Sequence, residues 1–277
     1  MYHYKKTNIN KIHNYLKLYK NNFEGHSFSL NYINWLYKKN PDGKFFGIDI
    51  YYKKKIIGQC GGVPFYLSKN SKKIKSFISI NICLNKNHRG KDIMINAQKK
   101  LLKLLKIKKF NFFCVVSNYF GFKSWKKSLK LKHFQPLDVR FFLFTKNALN
   151  NYDFKNKLKI LWSNKKINWR LKSPRTKFKI FNYKNYIFLY LKIKFFKIFS
   201  PIKNNKIKEI SKKNFIFIPS FYIGLGFDKF FKAMSINIPL FLRPSPLLFM
   251  YKILNKSILN DNDIDNIQFT LADFDVY

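Results

Sequence analysis

Residues Phe77–Met94, FISINICLNKNHRGKDIM, decide how this chain is read. An apolar, β-prone run ends at Leu84, and a short polar turn, Asn85–His88, follows. Arg89-Gly90-Lys91 then opens a segment of helical periodicity. A basic, glycine-containing turn from a strand into a helix start is an anion site. Free backbone N–H groups and the helix dipole both face whatever lies there, and a diphosphate is a natural guest.

Composition sets the bounds around that stretch. The 277 residues suffice for one large or two ordinary domains, and 47% hydrophobic with 19% aromatic content supports a sizeable core. The formal net charge of +42 suggests polyanionic partners when taken alone. Yet 50 of the 55 basic residues are lysine, and Phe, Tyr, Asn and Ile are heavily used as well. All have AT-rich codons, so background bias explains much of the charge, although the scarcity of Glu (only Glu24 and Glu209) does not follow from it. The lysines spread along the whole chain instead of forming a patch, which makes nucleic acid an unlikely partner.

Cys60, Cys83 and Cys114 lie in apolar runs without C-x-x-C spacing and read as core thiols of a reducing compartment. The five histidines have no metal-ligand spacing, so no metal is expected. The N-terminus lacks the apolar stretch of a secretory signal. Tyr186–Ser200 is interrupted by Lys192, Lys194 and Lys197, and Ile236–Leu254 by three prolines. Neither reads as a membrane span, and a cytoplasmic location without integral membrane association is the expectation.

The periodicity predicts a helix over residues 8–20 and a second beginning after Ser29 and stopped by Asn40-Pro41-Asp42-Gly43. Strands are expected at Phe45–Tyr52, Ile56–Leu67 and Ser76–Leu84. A helix at 91–108 follows, with Ile93, Ala97, Leu101, Leu104 and Leu105 on one face. Phe110–Val116 reads as a strand buried on both faces, Phe120–Leu131 as a helix and Phe141–Phe144 as a strand. This order fits an α/β or α+β domain on a mixed sheet, with the anion turn at a strand's C-terminal end. Asn34-Trp35 through Pro41 is echoed by Asn168-Trp169 through Pro174, each followed by aromatic, strand-like runs. The second half thus reads as a worn copy of the first, lacking a second basic turn.

Ile82–Leu105 followed by Phe110–Phe134 resembles the acyl-CoA-binding core of the GNAT superfamily of N-acyltransferases. The family pattern runs strand, Arg/Gln-x-x-Gly-x-Gly/Ala, helix, strand, and the match covers residues 30–145. Trp35 with Asn40-Pro41 and Gly43, the later Asn168-Trp169-Arg170 and the terminal Asp273-Phe274-Asp275 are similar to a narrower group. In that group a GNAT domain precedes a degenerate GNAT-like half, and some members are linked to surface-polysaccharide loci. The resemblance implies a GNAT-like mixed central sheet flanked by helices over residues 1–148, and a smaller GNAT-like domain over 149–277. It implies acetyl-CoA as acyl donor and a small-molecule amine, such as that of an amino-sugar precursor, as acceptor. Arg89, Gly90 and Lys91, with Asp92, Ile93 and Met94, would hold the CoA diphosphate, while Ile82, Cys83, Leu84 and Asn118 would meet the pantetheine.

The match has departures. Asp92 stands where the pattern has its first loop glycine, and Met94 where it has the second Gly/Ala. Direct transfer to an amine needs a base and an acid, yet Ser79, Asn81 and Cys83 occupy the strand positions where relatives often carry a carboxylate. The tyrosine acid of relatives aligns near Lys126, with Tyr119 as its substitute here. Asp273, Asp275 and the Tyr277 carboxylate are further base candidates. The expectation is an acyl-CoA-dependent N-acyltransferase. A CoA-binding relative without turnover and a basic nucleic-acid or anionic-surface binder are the alternatives.

Overall fold

The computed structural model describes residues 1–23, 28–144, 158–183, 186–203, 218–226, 235–243 and 246–274. Strand β1 (Tyr2–Lys6) precedes helices α1 (Ile12–Lys20) and α2 (Leu30–Lys38). Strands β2 (Phe46–Tyr52), β3 (Lys55–Lys69) and β4 (Lys72–Leu84) lead to helix α3 (Ile93–Ile107). Then come β5 (Phe112–Ser117), helix α4 (Tyr119–Leu129), β6 (Lys132–Pro136) and β7 (Asp138–Phe144). The second half runs β8 (Leu158–Ile160), α5 (Asn164–Leu171), β9 (Lys179–Tyr183), β10 (Tyr186–Ile193), β11 (Phe196–Lys203) and β12 (Ile218–Leu225). It ends with β13 (Ile236–Asn237), β14 (Leu248–Ile253), α6 (Asp261–Ile264) and β15 (Ile267–Thr270).

The expected helices and strands form where the local chemistry placed them. Ser29 caps α2 by accepting from the Tyr32 N–H at 3.1 Å, and Asn40 closes the turn that ends it. The β2–β3 and β3–β4 hairpins turn through Lys53-Lys54 and Asn70-Ser71, all four with positive φ, which matches the right-handed strand twist. The apolar face of α3 anticipated from sequence is buried. In the first half β1, whose polar residues hide its period, and β6 went unanticipated, as did β8, β12 and β15 in the second. The run Tyr186–Ser200 is a hairpin, with Lys194 at its turn (φ 51) and Lys192 opposite Lys197.

Among the described residues the strands form one mixed sheet of 15, with β8 and β15 bridging its two parts. One large core packs α1, α2 and α5 against one face, and a second packs α3 and α4 against the other. With few carboxylates available, lysines lie over aromatic rings instead. Lys73 is 3.6 Å and Lys75 4.5 Å from the ring centroids of Tyr66 and Phe110.

The two halves meet in a near-symmetric contact. Trp35 of α2 and Trp169 of α5 stack with centroids 4.3 Å apart. Each indole N–H donates to the other's backbone carbonyl, at 2.8 and 3.2 Å. Strands from distant parts of the chain also pair: β7 lies on β12, while β14 inserts between β5 and β6.

Candidate functional site

The parallel pair β4–β5 holds the site. It hydrogen-bonds only over Ser76–Ser79 and Phe112–Val115. Beyond that point β4 stays on β3 as far as Leu84 and β5 stays on β14 as far as Ser117, so the two strands part. A bulge sits at the fork. Asn81 and Ile82 together oppose the single residue Cys60, and Asn81 takes φ 52. The freed edge of β4 from Ile80 to Leu84 therefore carries backbone groups that β5 no longer satisfies.

The basic turn lies above this fork. Asn85 caps the short 3₁₀ turn at Lys86–His88, and the Arg89 Nε donates to the Leu84 carbonyl at 3.2 Å. Gly90 has φ 84, and a Cβ placed there would meet nothing within 4 Å, so the turn leaves open space at this point. Asp92 adopts the left-handed conformation that its replacement of a loop glycine required, φ 52, and its side chain does not cap α3. The first N–H groups of that 15-residue helix thus remain available to an anion. Strand β1 braces the arrangement: the Tyr2 hydroxyl meets His88 Nδ1 at 3.1 Å, and Tyr4 donates to the Ile93 carbonyl at 3.3 Å.

The other sequence candidates fall around the fork in different ways. Arg89, Gly90, Lys91 and Asp92 are exposed, Ile82 and Met94 are half-buried, and Cys83, Leu84 and Ile93 are buried. Asn118 is the N-cap of α4 and accepts from the Gly121 N–H at 2.9 Å, so one face of its amide is already committed. Tyr119 opens α4 at the end of β5 and is 53% exposed, with Lys123 over its ring. Burial pushes the Cys83 thiol up, opposed by the Gln59 backbone and Arg89, so Cys83 stays protonated and is a core residue. Asp273 is spent on structure. It accepts from Trp162 Nε1 at 3.0 Å and from the backbone and hydroxyl of Thr270 at 2.6 and 2.9 Å. Asp275 and Tyr277 lie outside the described residues.

Sequence reasoning missed the polar residues beneath the fork. Asp49 in FGIDIYY and Gln59 in IIGQCGG are fully buried, as are Tyr15, Tyr19 and Tyr37. A carboxylate and an amide in the middle of apolar strands were the available signal. Burial raises the Asp49 pKa, against hydrogen bonds from Gln59, Tyr15 and Thr7 that lower it.

The second half has a counterpart to the fork. The pair β11–β12 is also parallel, hydrogen-bonds over Lys197–Phe199 and Ser220–Tyr222, and then parts. Here the C-terminal segment fills the gap. β15 pairs with Gly224 and Leu225, the Ala272 N–H donates to Ser200 Oγ at 3.1 Å, and Gln268 donates to the Pro201 carbonyl at 3.3 Å. The remaining cavity, lined by Trp162, Pro201, Gln268 and Asp273 among others, is about 10 Å³, room for one water at most.

Among the described residues no helix is long and apolar enough to cross a membrane, and no cluster of His, Cys, Asp and Glu could hold a metal ion. No family model and no curated protein matches the sequence. Solved structures do match. An Enterococcus faecalis protein described as a probable N-acyltransferase aligns over 92% of this chain and 73% of its own, at 9% identity and a TM-score of 0.63. A GCN5-related N-acetyltransferase from Anabaena variabilis aligns over 92% and 74%, at 10% identity and 0.60. Another from Kribbella flavida aligns over 92% and 72%, at 7% identity and 0.59. Identities this low speak for architecture alone, and on that ground the chain has the fold of the GCN5-related N-acetyltransferases.

Proposed function

We propose that this protein is an acyl-CoA-dependent N-acyltransferase whose first half binds acetyl-CoA and transfers the acetyl group to an amine. The observation that carries this reading is the parting of β4 and β5 beneath an uncapped helix start and a basic turn with space at Gly90. The turn amides, with Arg89 and Lys91, suit the CoA diphosphate, and the freed β4 edge at Ile82–Leu84 suits the amide-rich pantetheine. Asn118 and Tyr119 flank the fork from the β5 side, Tyr119 as the phenol able to protonate the departing thiolate. An amino-sugar precursor is the acceptor class we favour, on the resemblance alone. The chain divides into two GNAT-like halves, 1–148 and 149–277, which exchange β7 and β14. The matched order of elements and the paired tryptophans support that division.

Acetyl-CoA is expected to raise the melting temperature of the protein. The double substitution Arg89→Ala with Gly90→Val should abolish the rise, and a rise that survives it overturns the assignment of the turn. A second reading, CoA binding without turnover, draws on the Asp92 carboxylate at the helix start and on Asn81 where a carboxylate base would serve. Stoichiometric release of CoA thiol with any amine eliminates it.

A further inference from the structure

The second half carries a row of apolar side chains that leads out of the core and ends in water. On the β10–β11 hairpin Ile193 and Phe196 stand directly opposite each other, and both are exposed. Ile198, two residues on, is buried and has Phe221 of β12 as its register partner. Phe221 is paired in turn with Phe141 of β7, and Phe141 with Ile236 of β13, which is exposed again. Register partners share a face of a sheet, so these residues form one row across five strands. The rings touch along it: Phe196 lies 5.2 Å from Phe221 and 6.4 Å from Phe141, centroid to centroid.

An exposed apolar loop stands at each end of the row. At one end the hairpin turns through Lys194 and Phe195, and Phe195 is 86% exposed. Two-residue hairpin turns favour Asn and Gly, yet here a lysine takes the left-handed φ of 51 and a phenylalanine stands in water beside it. At the other end β13 runs into a 3₁₀ turn, Leu240–Leu242, whose three side chains are exposed, Phe241 at 84%. That turn is held in place. Arg243 donates from Nε to the Ile238 carbonyl at 2.8 Å and from Nη1 to the Leu137 carbonyl at 2.6 Å, and the Ile238 N–H donates to the Val139 carbonyl at 2.8 Å. An arginine thus fixes a turn that presents apolar side chains to solvent, and an exposed apolar patch of this kind marks an interaction surface.

The charge around the hairpin says what it meets. Lys192, Lys194 and Lys197 alternate with Ile193 and the Phe195-Phe196 pair. Burial lowers the Lys197 pKa, and the neighbouring ammonium groups of Lys192 and Lys179 lower it further. From residue 154 to residue 208 the chain has no acidic residue, although codon bias toward lysine favours glutamate equally. A second copy of this chain would bring like charges to the contact. An anionic bilayer satisfies both features, because acyl chains accept the apolar tips while lysine stems carry their charges up to the head groups.

We propose that the Ile193–Lys197 hairpin tip and the Leu240–Leu242 turn dock this protein on an anionic lipid bilayer, with Phe195 and Phe241 entering the interface and Lys192, Lys194 and Lys197 meeting the head groups. The attachment is peripheral, and it stands apart from the acyl-transfer reading.

The test uses vesicles of phosphatidylcholine, with and without phosphatidylserine. Trp35, Trp125, Trp162 and Trp169 are all buried, so lipids brominated on their acyl chains should quench a tryptophan introduced by Phe195→Trp or Phe241→Trp and spare the native ones. Quenching is expected on vesicles containing phosphatidylserine. The double variant Phe195→Ser with Phe241→Ser should bind these vesicles about tenfold more weakly in co-sedimentation and keep the parent melting temperature, since both side chains are exposed. Lys192→Gln with Lys194→Asn should also weaken binding about tenfold, and only where phosphatidylserine is present. A serine double variant that binds as well as the parent would show attraction by bulk charge alone and overturns the inference. Introduced tryptophans that stay unquenched overturn it as well. So does a dimer in sedimentation velocity that the serine variant abolishes, which assigns the row to a second copy. None of these outcomes touches the effect of acetyl-CoA on the melting temperature, by which the transferase reading stands or falls.

Discussion

In the first half the parallel ladder ends at Ser79 and Val115, and the strands part below a basic turn whose Gly90 borders open space. In the second half the equivalent ladder ends at Phe199 and Tyr222, and residues 267–274 enter the gap to leave about 10 Å³. The parting of the strands is common to both, so it belongs to the fold. What differs is that in the second half the chain's own C-terminal segment meets the parted strand edges. Buried backbone groups must find partners either way.

The largest effect is expected where both halves depend on each other. Trp35→Ala should cost about 3–5 kcal/mol, as truncation of a buried tryptophan does, and adding Trp169→Ala should cost much less than the sum. Denaturant unfolding measures both, and simple additivity would show that the stacked pair does not couple the halves.

The next comparison sets two glycines against each other. Gly226 has φ 72, and a Cβ there would lie 2.3 Å from the Ile267 carbonyl, so Gly226→Val should destabilise by about 3 kcal/mol from strain and overpacking together. Gly90→Val carries only the backbone penalty of about 1–2 kcal/mol, yet it should remove the acetyl-CoA-induced rise in melting temperature. Equal losses of stability at the two sites would break the contrast between a filled gap and an open one.

Tyr119→Phe tests the β5 side of the open fork. A general acid for a good leaving group such as a thiolate should be worth about tenfold in kcat with little change in acetyl-CoA affinity. Stopped-flow thiol release separates the two quantities, and an unchanged kcat removes Tyr119 from the chemistry.

The smallest effect lies in the pH dependence of stability. Burial holds the Asp49 carboxyl above its unfolded value of 3.8, so in that window the folded protein binds the proton more readily than the unfolded chain. Its contribution is complete below the unfolded pKa and is lost as pH rises through the folded one. Melting temperatures of the parent and Asp49→Asn proteins across that acidic range should converge differently on the two sides, and parallel curves would show that Asp49 does not titrate with folding.

Much of the first half was legible residue by residue. Ser29 and Asn40 marked the ends of α2, the heptad-like spacing from Ile93 to Leu105 marked the buried face of α3, and Arg89-Gly90-Lys91 marked an anion site at a helix start. Each of these signals lies within a few residues of the structure it specifies. The bulge at Asn81 was not legible, because a second residue on β4 opposite one on β3 is visible only once both strands are aligned. Nor was Asp49, an acidic letter in an apolar strand whose donors Thr7, Tyr15 and Gln59 come from the loop after β1, from α1 and from β3.

By itself, then, the sequence determined the local elements, their caps and turns, the apolar faces and the basic turn, since period and turn chemistry act over short spans of chain. Only the tertiary structure decided that β7 pairs with β12 while β14 inserts between β5 and β6, that residues 267–274 enter the gap between β11 and β12, and that Asp49 and Gln59 meet tyrosines of α1 and α2 in the core. Those outcomes depend on pairings between residues up to 194 positions apart, as in the ion pair of Lys69 with Asp263, and no local pattern encodes them.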